Sequence, residues 1–222
     1  MHALVLWAAL SLGVEAPPDG TLLFLENCNR FVELYTGSPI GHVAVVLRDG
    51  GTAYVYEATP DRVRRMTVAE YYADLARTSH DRGREIKVWM LTPKAPYSAE
   101  QLERMRRYGD QHIQRRYSIA NYFNQKEGDG CHCAEFTANV LNEGRCCERF
   151  KDPFRETPAK LLETLAAGHL PKQAIALPKY EPQETWCQSQ SRIWQGRWQL
   201  CKWGALEAAI WLDGFVAAAV GY

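Results

Sequence analysis

Residues 41–58 read GHVAVVLRDGGTAYVYEA, two runs of β-branched and aromatic residues on either side of an Asp-Gly pair. Such runs are typical of β-strands, and Asp-Gly is a favoured two-residue hairpin turn. The stretch therefore predicts a β-hairpin that turns at residues 49–50. It also predicts an antiparallel sheet, because the two strands of a hairpin run in opposite directions.

Within this hairpin, a histidine and a carboxylate are expected to meet. If the Asp-Gly pair forms the turn, Arg48 pairs with Gly51. Counting back along both strands then sets His42 directly opposite Glu57, with Cβ atoms about 4.5–5.5 Å apart. Only an odd slip in register would place them on opposite faces. A carboxylate so placed orients an imidazole and stabilises its protonated form, as in a nucleophile triad. The alternative is an ordinary polar pair on a solvated face.

Three helices are predicted downstream of the hairpin. A Ser-x-x-Gln capping box begins the first, which extends over about 98–116. The second covers 133–141 and carries one apolar stripe. A Thr-Pro pair begins the third, over 157–168, with threonine as the cap and proline in the first turn. The mixture predicts an α+β fold, in which a small antiparallel sheet packs against helices.

A second candidate group is the cysteine pair of the segment Gly-Asp-Gly-Cys131-His132-Cys133, at the start of the second helix. Unpaired N–H groups and the helix dipole favour a thiolate at such a position. If His42 reaches the thiol, the thiol also gains a base. The alternatives are a disulfide cysteine or a metal ligand. The cysteine spacing is not that of a zinc knuckle, and no second Cys/His pair stands at the usual distance. We expect no metal and no organic cofactor.

Composition excludes several classes of protein. The chain has 222 residues, with 26 basic and 26 acidic side chains and a formal net charge of zero. No global field therefore draws it to nucleic acid or a membrane. A hydrophobic fraction of 46% with 11% aromatic residues indicates a globular protein. Seven cysteines are many for a cytosolic enzyme, and the odd count leaves at least one thiol unpaired.

The N-terminal residues 1–16 predict export. They form a short apolar run that ends in Val-Glu-Ala, the pattern of a signal-peptidase site, and the run is too short to span a bilayer. We expect a secreted or extracytoplasmic protein, in which disulfide bonds are permitted. The alternative is an N-terminal segment packed on the domain.

The C-terminal part differs in composition from the rest. Residues 171–185 contain three prolines and are predicted to link the domain to a Trp-rich helical tail over 186–222. Two acidic residues near the C-terminus oppose a membrane span. A helix docked on the domain is the favoured interpretation, and a peripheral membrane contact is the alternative. Cys187 and Cys201 flank part of this segment and are candidates for a disulfide bond.

Taken in chain order, these motifs resemble the permuted papain-like amidases of the YiiX type. These are circularly permuted relatives of NlpC peptidases and are similar to lecithin retinol acyltransferases. The resemblance covers about residues 18–170, and its most specific mark is the order histidine, glutamate, cysteine. The residues that carry it are GTLLF (20–24), TGSPIGHVAVV (36–46), YEA (56–58), RY (116–117), CAEF (133–136) and TP (157–158).

The resemblance implies a catalytic domain over 17–170. Cys133 matches the nucleophile, His42 the base and Glu57 the orienting residue, while Tyr117 matches a recurrent tyrosine that would contact the oxyanion or the substrate. The implied enzyme is a thiol protease or amidase that cleaves a peptide, cell-wall or lipid-linked amide through a thioester. A lipid acyl hydrolase or acyltransferase of the same fold, or an inactive binding module held by disulfides, are the alternatives.

Overall fold

The computed structural model describes residues 16–146, 150–182, 184–198, 201, 202, 204 and 205. The predicted signal peptide therefore lies outside the described residues, apart from its last position. A six-stranded antiparallel sheet forms the centre, and helices pack on both faces. The strands are β1 (Leu22–Glu26), β2 (Ile40–Asp49), β3 (Thr52–Ala58), β4 (Val63–Thr67), β5 (Lys87–Leu91) and β6 (Gln173–Ile175). The helices are α1 (Arg30–Thr36), α2 (Val68–Arg82), α3 (Ala99–Gln111), α4 (Ala120–Asn124), α5 (Cys133–Gly144) and α6 (Pro158–Leu165), with 3₁₀ turns at Pro153–Arg155 and Ala166–Gly168.

The strands lie in the order β4-β3-β2-β1-β5-β6. Alternate residues of β2 enter two different cores, as the alternation of strand side chains requires. Val45 belongs to a core that includes Phe136 of α5, while Val46 belongs to a core that includes Tyr71 of α2. The mixed α+β class and the antiparallel sheet agree with the prediction.

The predicted hairpin forms, but its register differs from the prediction. The turn lies at Gly50 and Gly51 and not at residues 49–50, so Arg48 pairs with Ala53 and not with Gly51. Both turn glycines have positive φ, 55° and 86°. A type I′ turn needs positive φ at both central positions, and glycine adopts it without the steric cost that aspartate pays. The register shift is even, so every side chain keeps its predicted face.

The helix α3 begins at the predicted capping box, since the Ser98 hydroxyl accepts the Gln101 N–H. It ends at Gln111, however, and not near residue 116. The following segment joins the edge of the sheet, because the Val63 N–H donates to the Arg115 carbonyl at 2.8 Å. These edge bonds replace the helical bonds that the predicted extension would have made. Helices α5 and α6 begin where the sequence predicts.

The predicted linker contains regular structure. Its residues 173–175 form β6, which pairs with β5, and Leu177 packs against the core beneath α2. A helix follows over 186–198, called the tail helix below. Its Arg192 forms ion pairs with Asp81 of α2, so it is docked on the domain. Within the described part of the chain, no helix is long and apolar enough to cross a membrane.

No disulfide bond joins any two of the cysteines that the structure describes, contrary to the prediction. All six described cysteines are free thiols: Cys28, Cys131, Cys133, Cys146, Cys187 and Cys201. For the candidate pair Cys187 and Cys201, the tail helix is the reason. Its rise carries the chain about 16 Å from Cys187 by residue 198, whereas bridged cysteines keep their Cα atoms within about 7 Å.

Phe136 carries much of the packing that holds α5 on the sheet, and its side chain is fully buried. Truncation leaves a cavity at the helix–sheet contact, so Phe136→Ala is expected to lower the free energy of unfolding by about 3–5 kcal/mol. Urea unfolding measures the change. Leu34→Ala, at a residue 76% exposed on α1, is the control and is expected to change it by no more than about 0.5 kcal/mol. Equal effects of the two substitutions would contradict this account of α5 docking.

Candidate active site

The start of α5 places Cys133 at the edge of the core. Cys133 is the first helical residue and is buried, and His132 is the N-cap. The Nδ1 atom of His132 accepts the Glu135 N–H at 3.3 Å. The backbone before the helix is fixed to a neighbouring segment, because the Cys131 N–H donates to the Arg116 carbonyl at 3.0 Å. The thiol is therefore held on a rigid element.

The loop before α5 approaches its neighbour closely. A Cβ added at Gly130 would lie 2.5 Å from the Cβ of Ser118 and 3.1 Å from the Arg116 carbonyl oxygen. Backbone and a side-chain stem would both have to move, so only glycine fits this position. The predicted glycine-rich turn thus has a packing role that brings the cysteine segment against 116–118.

The hairpin brings His42 and Glu57 together, as predicted. The Nε2 atom of His42 lies 2.6 Å from Oε2 of Glu57. Continuing the observed register sets Glu57 across from Ala44, so the contact is diagonal and not directly opposed. The Glu57 side chain is buried, with 3% of its surface exposed, and that of His42 is half-buried, with 13% exposed. A solvated surface pair is therefore excluded.

The thiol of Cys133 completes this group, because Cys133 and His42 lie close enough for each to shift the pKa of the other. Burial alone would raise the pKa of the thiol, but the positive charge of His42 and hydrogen bonds from His132 and His42 lower it to about 6. For Cys131, burial raises the pKa to about 12. The pKa values of the two thiols in this motif are thus shifted in opposite directions. Cys133 is the one that carries a thiolate near neutral pH.

His42 is stabilised in its protonated form. Burial of the ring would lower its pKa, but the Cys133 thiolate and the Glu57 carboxylate outweigh burial and raise the pKa. Glu57 shows the complementary change: burial would raise its pKa, and the contacts with His42 and Arg64 lower it. Thiolate, imidazolium and carboxylate therefore stabilise one another in the order Cys133, His42, Glu57.

Sequence reasoning missed Arg64, which supports Glu57 from the next strand. Its Nε donates to Oε1 of Glu57 at 2.7 Å, and its Nη2 donates to Asp74 of α2 at 3.1 Å. Arg64 lies directly opposite Glu57 in the β3–β4 pair. Val63, Arg64, Arg65 and Met66 do not alternate between apolar and polar residues, so the sequence gives no period-two signal for this strand.

A buried polar cluster beneath the loop was also missed. The Asn121 Nδ2 atom donates to the Gly130 carbonyl at 2.9 Å and lies 3.1 Å from both carboxylate oxygens of Glu135. The Nε2 atom of His132 contacts the Phe154 carbonyl at 3.1 Å. Burial would lower the pKa of His132, but its interactions with Cys133 and Glu135 and its bond to the Phe154 carbonyl raise it. These bonds fix the residue that precedes the nucleophile candidate.

Tyr117, the remaining predicted site residue, lies beside the cysteine segment. It is buried, and its backbone forms a parallel bridge with Cys131. The structure therefore joins His42 to Glu57, brings Cys133 near His42, and places Tyr117 beside Cys131, two residues before Cys133. Within the described residues, no group of three or more His, Cys, Asp or Glu side chains is arranged to hold a metal ion.

Comparison with known proteins gives a distant likeness of fold. No family model matches the sequence, and no curated protein matches it. Among solved structures, the chain is similar to the crystal structure of metalloprotein yiiX from Escherichia coli O157:H7. The identity is 16% and the TM-score is 0.48, over 73% of this chain and 90% of that chain. A likeness of this size concerns the overall fold alone.

Proposed function

We propose that this chain is a cysteine hydrolase that cleaves amide bonds through a thioester intermediate. Cys133 is the nucleophile, and His42 is the general base and acid. Glu57 orients the His42 ring and stabilises its protonated form. The observation that carries the proposal is the 2.6 Å contact between His42 and Glu57, beside a thiol whose pKa His42 lowers. Buried groups with strongly shifted pKa values are expected where catalysis needs them.

The reaction begins from a thiolate that the site has already formed. The Cys133 sulfur attacks the carbonyl carbon of the amide, and the carbonyl electrons move to its oxygen. The backbone N–H of Cys133 is among the groups that the start of a helix leaves without an intrahelical partner, and it stabilises this oxyanion. His42 gives its proton to the leaving amine as the C–N bond breaks, which leaves a thioester on Cys133.

The second half of the reaction restores the enzyme. The neutral His42 removes a proton from a water molecule, and the resulting hydroxide attacks the thioester carbonyl. The C–S bond breaks, the acid is released, and the proton on His42 restores the thiolate–imidazolium pair. Glu57 stays ionised throughout, with Arg64 holding it in place.

The chain order supports assignment to a circularly permuted papain-like fold. The histidine and the carboxylate lie on β2 and β3, and the cysteine begins a later helix. An inactive binding module would be expected to have Cys133 oxidised or remote from His42. Cys133 is a free thiol whose pKa is lowered by the charge of His42, and this supports the catalytic assignment instead. For an exported protein, the substrates are peptide, cell-wall or lipid-linked amides.

Alkylation of the reduced, folded chain by iodoacetamide tests the nucleophile, with each modified cysteine assigned by mass spectrometry. Because the pKa of Cys133 is lowered, its thiolate persists as pH falls to about 6 and is lost below it. We expect the rate at Cys133 to follow that midpoint. His42→Ala removes the cation and is expected to move the midpoint upward, toward the ordinary thiol value of about 8.5.

Two controls accompany this measurement. Cys187, exposed on the tail helix, is an internal reference thiol. His80→Ala removes an exposed histidine of α2 and is expected to leave the Cys133 profile unchanged. A Cys133 profile that coincides with that of the unfolded chain and ignores His42→Ala would exclude the proposed mechanism.

A further inference from the structure

The tail helix carries an exposed aromatic face. The side chains of Trp186, Trp194 and Trp198 are 76%, 64% and 61% exposed. Trp194 and Trp198 are four residues apart and so lie side by side on one face of the helix. Three exposed indoles on a single helix form an apolar patch of a kind that marks interaction surfaces.

The opposite face of the tail helix holds it to the domain. Arg192 forms ion pairs with Asp81 of α2 and with Glu184. Nearby, the rings of His80 and Tyr180 lie 5.2 Å apart. Trp194 follows Arg192 by two residues, about 200° around the helix. The anchored arginine therefore keeps the tryptophan face turned away from the domain.

The charged side chains of this segment are all basic. Residues 186–205 contain three basic side chains and no acidic one, in a chain whose overall net charge is zero. Arg192 is paired with acidic groups of the domain. The other two basic side chains lie over tryptophan rings. The guanidinium carbon of Arg197 is 5.7 Å from the centre of the Trp194 ring, and the Lys202 nitrogen is 5.5 Å from the centre of the Trp198 ring.

We propose that the tryptophan face binds the surface of an anionic lipid bilayer. Indole rings favour the boundary between headgroups and acyl chains, because one edge is apolar and the N–H remains hydrogen-bonded. Arg197 and Lys202 lie beside those rings, where they meet anionic headgroups. The helix lies on the surface with its tryptophans inserted, while Arg192 keeps the domain attached on the side facing water. The proposal does not depend on Cys133 being catalytic.

The test is co-sedimentation of the full chain with sucrose-loaded vesicles. One set contains equal parts phosphatidylcholine and phosphatidylglycerol, and the other contains phosphatidylcholine alone. We expect tighter binding to the anionic vesicles, weakened by added salt. The double variant Trp194→Ala/Trp198→Ala is expected to bind at least about tenfold more weakly. Arg197→Gln and Lys202→Gln are each expected to weaken binding to anionic vesicles about fivefold.

Leu34→Ala is the matched control, because Leu34 is 76% exposed on α1, outside the tail helix. It is expected to bind both kinds of vesicle as the parent chain does. All four target residues are on the surface, so circular dichroism should show an unchanged fold. Absence of binding to anionic vesicles, or equal binding by the double variant, would overturn the proposal. Self-association through the tryptophan face without affinity for vesicles would do the same and would identify a second copy as the occupant.

Discussion

Replacement of Cys133 by alanine is expected to abolish acyl-enzyme formation. With p-nitrophenyl acetate as an activated acyl donor, the parent chain should release a burst of nitrophenolate and gain one acetyl group on Cys133. Cys133→Ala has no sulfur to accept the acetyl group, and we expect turnover to fall by at least about a thousandfold. Stopped-flow absorbance measures the burst, and mass spectrometry of the quenched protein locates the acetyl group.

The matched control is Cys131→Ala, which removes the other thiol of the same motif. Cys131 is fully buried and its pKa is raised, so at neutral pH it is a protonated, apolar core residue. We expect the burst to persist, with some loss of stability from the lost packing. An acetyl group on Cys131, or loss of the burst in Cys131→Ala alone, would reverse the assignment of the nucleophile.

This choice between two cysteines shows what sequence alone provides. Both thiols follow the same glycine-rich turn, and spacing does not separate them. Their pKa values diverge because Cys133 meets His42, which lies more than ninety positions earlier in the chain. Contacts between residues so far apart depend on how the sheet and α5 pack. Only the resemblance to a known family predicted that contact before the structure.

The hairpin was predictable because its determinants are local. Alternation and turn chemistry act over a few residues, and even a wrong choice of turn left His42 and Glu57 on one face. The strand β1 is different, since its run Leu22–Glu26 is almost wholly apolar. Such a run has no period of two and can equally be a buried helix segment. Its partner β5 lies more than sixty residues away, and no local pattern signals that pairing.

Arg64 links the site to the rest of the domain. It contacts Glu57 on one side and Asp74 of α2 on the other. An unpaired carboxylate in this position would be costly to bury. The ion pairs therefore explain how Glu57 remains ionised inside the sheet, and they tie the charge state of His42 to the packing of α2.

Conversion of Glu57 to glutamine is expected to have the second largest effect. The change keeps the shape of the side chain and removes its charge, so the pKa of His42 falls and that of Cys133 rises. The midpoint of Cys133 alkylation should move above pH 6. Turnover should fall by up to about 10⁴-fold, the loss known for a triad whose carboxylate is replaced by an amide while its geometry survives. The same alkylation and burst measurements report both changes.

The pH dependence of the unfolding free energy provides an independent test of Glu57→Gln. Because the pKa of Glu57 in the folded chain lies below the ordinary glutamate value of 4.5, the folded state favours the ionised carboxylate. Its contribution to stability is complete above pH 4.5 and is lost as pH falls through the folded pKa. The difference in unfolding free energy between the parent chain and Glu57→Gln should therefore narrow in acid. Asp61→Asn, at a side chain 67% exposed, is the control for removal of a carboxylate from the surface. If the difference in unfolding free energy between the parent chain and Glu57→Gln stays constant as the pH falls, Glu57 acts through its shape and not through its charge.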